Sequence, residues 1–171
     1  MKLTSILTSL TAAAVMTTTG ATIASAASTL DIVKERGNLR CQVGQPSPGY
    51  YNLDSEGNWY GLDVSVCQAV AAAIFGDKTK LEIQSVSSQA RFTALANGES
   101  DLLSRTATWT MTRDTQLGID FLATNFYDGQ GFTVRKDSGI TSAMELKGAK
   151  VCVTTGTTTE LNLTDFSRQN D

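Results

Sequence analysis

Residues 104–114 read SRTATWTMTRD, with hydroxyls at Thr106, Thr108, Thr110 and Thr112 and a lone arginine, Arg113, directly before Asp114. A guanidinium offers paired N–H donors that match the two oxygens of a carboxylate, and a threonine hydroxyl adds another. Arg113 with Thr108 is therefore a candidate carboxylate clamp, each charged hydrogen bond contributing roughly 1.5–3 kcal/mol in a desolvated cleft. The alternative is a surface pair between Arg113 and Asp114 or Asp120, with a stabilisation of ~0–1 kcal/mol. A second stretch, TTGTTTE at 154–160, has comparable chemistry. Gly156 lets the backbone turn, and the amides of Thr157 and Thr158 would then face outward at the positive end of a following helix, where anions bind. It is not a Walker-type phosphate loop, because the glycine spacing is wrong and no Lys-Ser or Lys-Thr pair follows. An ordinary capped strand-to-helix turn would give the same letters, so both readings stand on spacing alone.

Other chemistries are excluded by composition. The chain has no histidine, which removes Ser-His-Asp and Cys-His catalysis and His-ligated zinc. Fourteen Lys and Arg against seventeen Asp and Glu give a net charge of −3, and the basic residues are scattered, unlike a nucleic-acid footprint or a basic membrane surface. No cofactor or metal motif is present, and no catalytic residue is assigned. The first residues, MKLTSILTSLTAAAVMTTTGATIASAAS, carry Lys2 as their only charge, then an apolar and small-residue run ending in Ala24-Ser25-Ala26. That is the layout of a secretory signal peptide over 1–26, and its threonines and serines break the run short of the ~20 apolar residues of a spanning helix. Export from the cytoplasm is the expectation.

Cysteines fall at 41, 67 and 152. In an oxidising compartment an odd count implies one pair and one leftover thiol. Cys41 sits in an expected strand and Cys67 in the first turns of the helix that follows, so these two are paired here. Three buried free thiols are the alternative.

The elements that position these residues alternate along the chain. TLDIVKERGNL reads as a short helix with Thr29 or Asp31 near its cap and Gly37 stopping it. NLRCQV is a strand, and DSEGN at 54–58 is a hairpin turn between YNL and WYGL. DVSVCQAVAAAIFG is a helix that Asp63 can cap, with Val64, Cys67, Val70, Ala71, Ile74 and Phe75 on its apolar face and Gly76 at its end. LEIQSV, QARFTALANG and DLLSR continue as strand, helix and strand. Short strands alternating with helices predict an α/β fold with a parallel sheet, whose ligands bind beyond the carboxyl ends of the strands. SRTATWTMTRD begins at such an end, and its alternation predicts an extended segment with one hydroxyl edge. Downstream, DTQLGIDFL reads as a short helix running into a strand, FYDGQGFTVRK as extended, TSAMELKG as a capped helix, and KVCVTTGTTTELNLTDF as strand, turn and helix. Asn162-Leu163-Thr164 matches a glycosylation sequon by chance, and Trp109, Tyr50, Tyr60 and Phe92 can either stack on a ligand or pack.

The segments RGNLRCQVGQ, GNWYGLDVSVCQAVAAAIFGD, RFTALANGESDLLSRTATWTMTRD and ELKGAKVCVTTGTTTELNL together resemble the extracytoplasmic amino-acid-binding proteins of ABC importers, and are most similar to the general polar L-amino-acid receptors. The resemblance runs in order over nearly all of the chain after the leader. It implies a type II periplasmic-binding-protein fold of two α/β lobes closing on a ligand by domain rotation. Residues 27–128 would form the first lobe, and 129–171 the hinge crossing and the opening part of a second lobe that is only begun. The ligand would be glutamate, glutamine, aspartate or asparagine, and the partner an inner-membrane ABC permease. Thr108 and Arg113 would hold the α-carboxylate, the backbone of Thr106 would accept from the α-ammonium, and the amide of Thr158 would approach the same carboxylate. Ser87, Ser88 and Arg91, with Pro46 to Tyr50, are side-chain-reading candidates. The resemblance also implies the Cys41–Cys67 bond, and a later cysteine as the usual partner of Cys152.

Family members continue well beyond the position of Asp171, so residues after about Gly131 are expected to be poorly held and affinity for amino acids to be weak. Two other readings stand beside the receptor: an enzyme on the same scaffold, of the cyclohexadienyl or arogenate dehydratase kind, which would need a positioned general acid or base, and a truncated gene product without function.

Overall fold

The computed structural model describes residues 28–170; the expected leader at 1–26 lies outside them. Helix α1, Thr29–Arg36, opens on a capping box in which Ser28 accepts from the Asp31 amide while the Asp31 carboxylate accepts from the Ser28 amide, and Gly37 closes it in the left-handed region at φ 81°. Ser28, one residue before the expected caps, is the cap because its hydroxyl reaches the third helical amide. Strand β1, Leu39–Val43, follows. The hairpin of β2, Asn52–Leu53, and β3, Trp59–Tyr60, is joined through the Asp54 turn as expected, with the Asp54 carboxylate accepting from the Glu56 and Asn58 amides.

Helix α2, Leu62–Phe75, ends at Gly76 and buries Val64, Cys67 and Ala71 from the expected apolar face, with Val70, Ile74 and Phe75 packed alongside. Its amino end differs from expectation. The cap is Gly61 at φ 125°, a conformation that a side chain disfavours and where a Cβ would collide with the Tyr50 carbonyl. Asp63 falls inside the first turn and points into the protein, 2% exposed.

Strand β4, Leu81–Ser85, helix α3, Arg91–Ala96, and strand β5, Leu102–Leu103, complete a parallel sheet of order β4-β1-β5. The chain leaves the central strand β1 in one direction to β4 and returns across it to β5. Because such crossovers are right-handed, α2 and α3 lie on opposite faces. On the α2 face, Leu39, Cys41 and Val43 alternate into the core against Val33, Val64, Cys67 and Ala71. The Cys41–Cys67 disulfide therefore fastens the central strand to the helix that covers it. The opposite face is polar, with Gln42 fully buried and the Ser100 hydroxyl donating to Gln84 Oε1 at 2.6 Å. Asp101 ties the start of β5 back to Arg36 and to the Arg40 amide.

Helix α4, Met111–Gln116, begins earlier than the helix expected at DTQLGIDFL. Thr110 is its cap, accepting from the Arg113 amide, so the hydroxyl series is extended only as far as Thr110 and Thr112 turns away with the helix. From Ile119 to Thr157 no strand is formed among the described residues, against the three expected there. Strand identity is a pairing of main-chain groups, and no neighbouring strand lies beside these segments. The helix expected at 141–148 is a single 3₁₀ turn, Ala143–Leu146, because Glu145 folds back to accept from the Thr141 amide and hydroxyl. Helix α5, Thr158–Asn170, forms as expected, with Phe166 set against Phe132 at 5.2 Å between ring centres.

A covalent link across 26 residues restricts the unfolded chain. Reduction is expected to lower stability by about 2–4 kcal/mol, read as the difference between urea transitions with and without dithiothreitol; coincident transitions would show that the link does not constrain the core.

Candidate functional site

The loops that leave the carboxyl ends of β1, β4 and β5 meet at the point where the chain's winding about β1 reverses. Ser87 and Ser88 follow β4. The Ser87 hydroxyl accepts from the Ala90 amide and its carbonyl from the Arg91 amide, which starts α3. Arg91 is 1% exposed; its Nη1 donates to the Ser88 carbonyl at 2.7 Å and its Nη2 to the Gly156 carbonyl at 3.2 Å. Arg113, on α4, donates from Nη1 to the Thr108 carbonyl at 2.8 Å. Both guanidiniums lie on the Phe92 ring, at 4.5 Å for Arg91 and 4.8 Å for Arg113, the arrangement of a cation–π contact. Phe92 is thus a platform for the two cations.

A third guanidinium joins them. Arg105 directly follows Ser104 at the end of β5, and donates from Nη1 to the Val86 carbonyl at 2.6 Å and from Nη2 to the Ser88 hydroxyl at 2.9 Å. The ion pairs among the described residues involve Arg36, Arg40, Arg135 and Arg168, and none of these three. The local pairing of Arg113 with Asp114 or Asp120 is therefore not formed. Asp114 instead accepts from the Phe121 amide. Burial pushes the Arg91 guanidinium down to about 10, and the neighbouring charges of Arg105 and Arg113 add to this. Arg105 and Arg113 are lowered by burial as well.

The threonine segment meets the later motif through hydroxyls. Thr108 Oγ1 and Thr158 Oγ1 are 3.0 Å apart, and Thr106 Oγ1 lies 3.0 Å from the Tyr51 hydroxyl. Gly156, at φ 78°, turns so close to the Ser88-Gln89 backbone that a Cβ there would lie 3.0 Å from Gln89 Cα. The expected outward-facing turn is partly occupied by its own helix: the Glu160 carboxylate accepts from the Gly156 amide at 2.8 Å, while Thr157 Oγ1 accepts from the Glu160 amide at 3.2 Å. Thr157 thus caps the helix, and Glu160 holds the amide one residue before the cap.

Of the aromatic candidates, Trp109 stacks on Phe121 at 5.3 Å and Tyr50 meets Phe126 edge-on at 5.5 Å, so both pack within the chain. Tyr60 is exposed. Pro46 and Gly49 stand on the exposed loop before Tyr51, whose ring lies over Gly44 so closely that a Cβ there would be 2.7 Å away. Sequence reasoning overlooked Arg105, Tyr51 and the internal role of Asp63. The available signal for Arg105 was a cation immediately after an apolar strand, at a carboxyl end. Asp63 accepts from the Asn125 amide group at 2.7 Å and the Ser104 hydroxyl at 3.3 Å, joining α2, the end of β5 and the segment after α4.

Residues 39–170 match the family model described as bacterial extracellular solute-binding proteins, family 3. The chain belongs to this family. It is 53% identical over 148 residues to the glutamate/glutamine/aspartate/asparagine-binding protein BztA of Rhodobacter capsulatus, covering 86% of this chain and 44% of that protein. It is 50% identical to the general L-amino acid-binding periplasmic protein AapJ of Rhizobium johnstonii, covering 86% of this chain and 43% of that one. A periplasmic binding protein of an ABC transporter from Brucella ovis, solved with glutathione bound, superposes with a TM-score of 0.79 at 50% identity over 84% of this chain and 46% of that one. The fold is accordingly the type II periplasmic-binding-protein fold, and the chain spans less than half the length of these family members.

Burial raises the Asp63 pKa above its ordinary 3.8, outweighing the lowering by Asn125, Ser104 and Arg105. A raised carboxyl pKa favours folding most below the unfolded value, and that contribution is lost as pH rises through the folded one. Asp63→Asn is therefore expected to gain stability relative to the parent as pH goes from about 3 to about 6, measured by chemical denaturation. A pH-independent difference would remove the burial argument.

Proposed function

We propose that the chain is the extracytoplasmic solute-binding component of an ABC importer for polar L-amino acids, exported to the periplasm and working with an inner-membrane ABC permease. The observation that carries this reading is the Arg113 guanidinium, buried on Phe92, held by one main-chain carbonyl and without a carboxylate partner among the described residues. Four of its five N–H donors are left for a ligand, and two of them match the oxygens of an α-carboxylate. The Thr108 hydroxyl lies beside it, and Thr158 meets Thr108 from the later segment. In this reading the Thr158 amide approaches the same carboxylate and the Thr106 carbonyl accepts from the α-ammonium. Ser87, Ser88 and Arg91 border the ligand's side chain.

The division into a first lobe over 27–128 and the hinge crossing and start of a second over 129–171 belongs to the same proposal, with closure bringing Thr158 onto the ligand. Glutamate, glutamine, aspartate and asparagine are the favoured ligands, supported by the name of the R. capsulatus family member and by a site rich in donors. Binding without chemistry is favoured over an enzymatic role, because the carboxylates of this region are engaged within the chain. Asp63 is 2% exposed and accepts from Ser104 and Asn125, Asp101 accepts from Arg36 and the Arg40 amide, Asp114 from the Phe121 amide and Glu160 from the Gly156 amide. A general base must instead reach its substrate.

Losing a charged hydrogen-bonding pair costs about 1.5–3 kcal/mol. Arg113→Met is therefore expected to weaken L-glutamate and L-glutamine alike by about 10–100-fold, followed by titration of labelled protein in two-dimensional NMR. Arg113→Lys should recover only part of this, having charge without the planar fork. Binding that survives Arg113→Met unchanged would rule out the clamp.

A further inference from the structure

The three guanidiniums are not equivalent. Arg91 has both Nη groups on main-chain carbonyls, those of Ser88 and Gly156. It is a strut between the loop after β4 and the turn before α5. Arg105 has one carbonyl partner, Val86, and the Ser88 hydroxyl, with the Tyr51 hydroxyl also beside it. A hydroxyl that accepts from a guanidinium still has its own proton to donate, so Arg105 and Ser88 together present a cation and an adjacent donor. The Nε atoms of Arg91 and Arg105 are both buried without a hydrogen-bond partner. Arg105 is 9% exposed, and the Asp63 carboxylate, whose charge acts on it, is engaged by Ser104 and Asn125.

Charge counting then bears on the ligand. Three buried cations repel one another, and Asp63 offsets one of them. An amino acid with a neutral side chain brings one carboxylate, matched to Arg113, and one ammonium that adds positive charge again. Arg91 would stay uncompensated and Arg105 only partly offset by Asp63, at a desolvation cost that buried charges carry until they are paired. A second carboxylate on the ligand removes that cost.

We propose that Arg105, with the Ser88 hydroxyl, is a specificity-determining residue that binds a second anionic group, so that the site prefers acidic amino acids over their amides. This rests on the reading of Arg113 as the holder of the α-carboxylate. Among the described residues neither Ser88 nor Arg105 is bound to a carboxylate, and both stand where the loops after β4 and β5 meet.

The test uses the whole chain and millimolar ligand, because affinities are expected to be weak. L-Glutamate, L-glutamine and glycine are titrated against the parent, Arg105→Gln and Ser88→Ala, with chemical-shift changes as readout and the amide spectrum as a check of folding. The parent is expected to bind L-glutamate about tenfold or more tighter than L-glutamine. Arg105→Gln should bring the ratio close to one by weakening glutamate, and Ser88→Ala should lower it by about threefold. If Arg105→Gln does not fold, the ratio in Ser88→Ala decides. Equal affinities in the parent, or a ratio that both folded variants leave unchanged, would overturn the assignment and leave the clamp at Arg113 intact. Failure of all three ligands to bind would overturn the reading of Arg113, and this inference with it.

Discussion

Three arginine head groups are buried at the carboxyl end of a small parallel sheet, and carbonyls, hydroxyls and one phenyl ring are what hold them. Most proteins bury such groups against carboxylates, since an unpaired cation in a low dielectric is costly. Here Asp63 accepts from Ser104 and Asn125 and forms no ion pair with the three arginines. The positive potential is thereby kept while the surrounding loops are still positioned. Val86, Ser88, Thr108 and Gly156 all present oxygens to one of the three guanidiniums, so three separate stretches of chain are ordered by cations rather than by apolar contact.

The sheet makes this convergence unavoidable. With β1 between β4 and β5, the chain changes direction about its central strand, and the loops that end β4 and β5 open to either side of the same gap. Phe92 on α3 reaches that gap from one loop and Arg113 on α4 from the other. The disulfide and the α2 core hold the central strand from the opposite direction. A rigid apolar face and a polar, cation-bearing rim are thus separated along one strand.

The elements as far as Leu103 could be read from the letters because each is brief, amphipathic and punctuated by glycine. The apolar face of the helix over 62–75 and its pairing of Cys67 with Cys41 followed from periodicity and placement. Thr108 and Thr158 were named from the chemistry and spacing of their motifs and Arg91 from a family resemblance, and the chain folds them into one neighbourhood. Arg105 was illegible because a final basic residue on a strand reads as its solvated end. Asp63 was misread because an acidic residue at a helix start has the signature of a cap, whereas the helix begins at a glycine whose φ no neighbouring letter announces. The later strands failed for a different reason. A strand is defined by what lies beside it, and sequence pattern says nothing about whether a neighbour is there.

Position 156 is subject to two separate vetoes. Its backbone lies in the left-handed region, and the space where a side chain would begin is already bounded by Gln89. Alanine would meet both, so tolerance there measures how near two stretches sixty-odd residues apart must come. In a collection of homologous genes, any loss of this glycine should travel with a widened 88–89 loop, leaving a molecular record of the spacing between the two stretches.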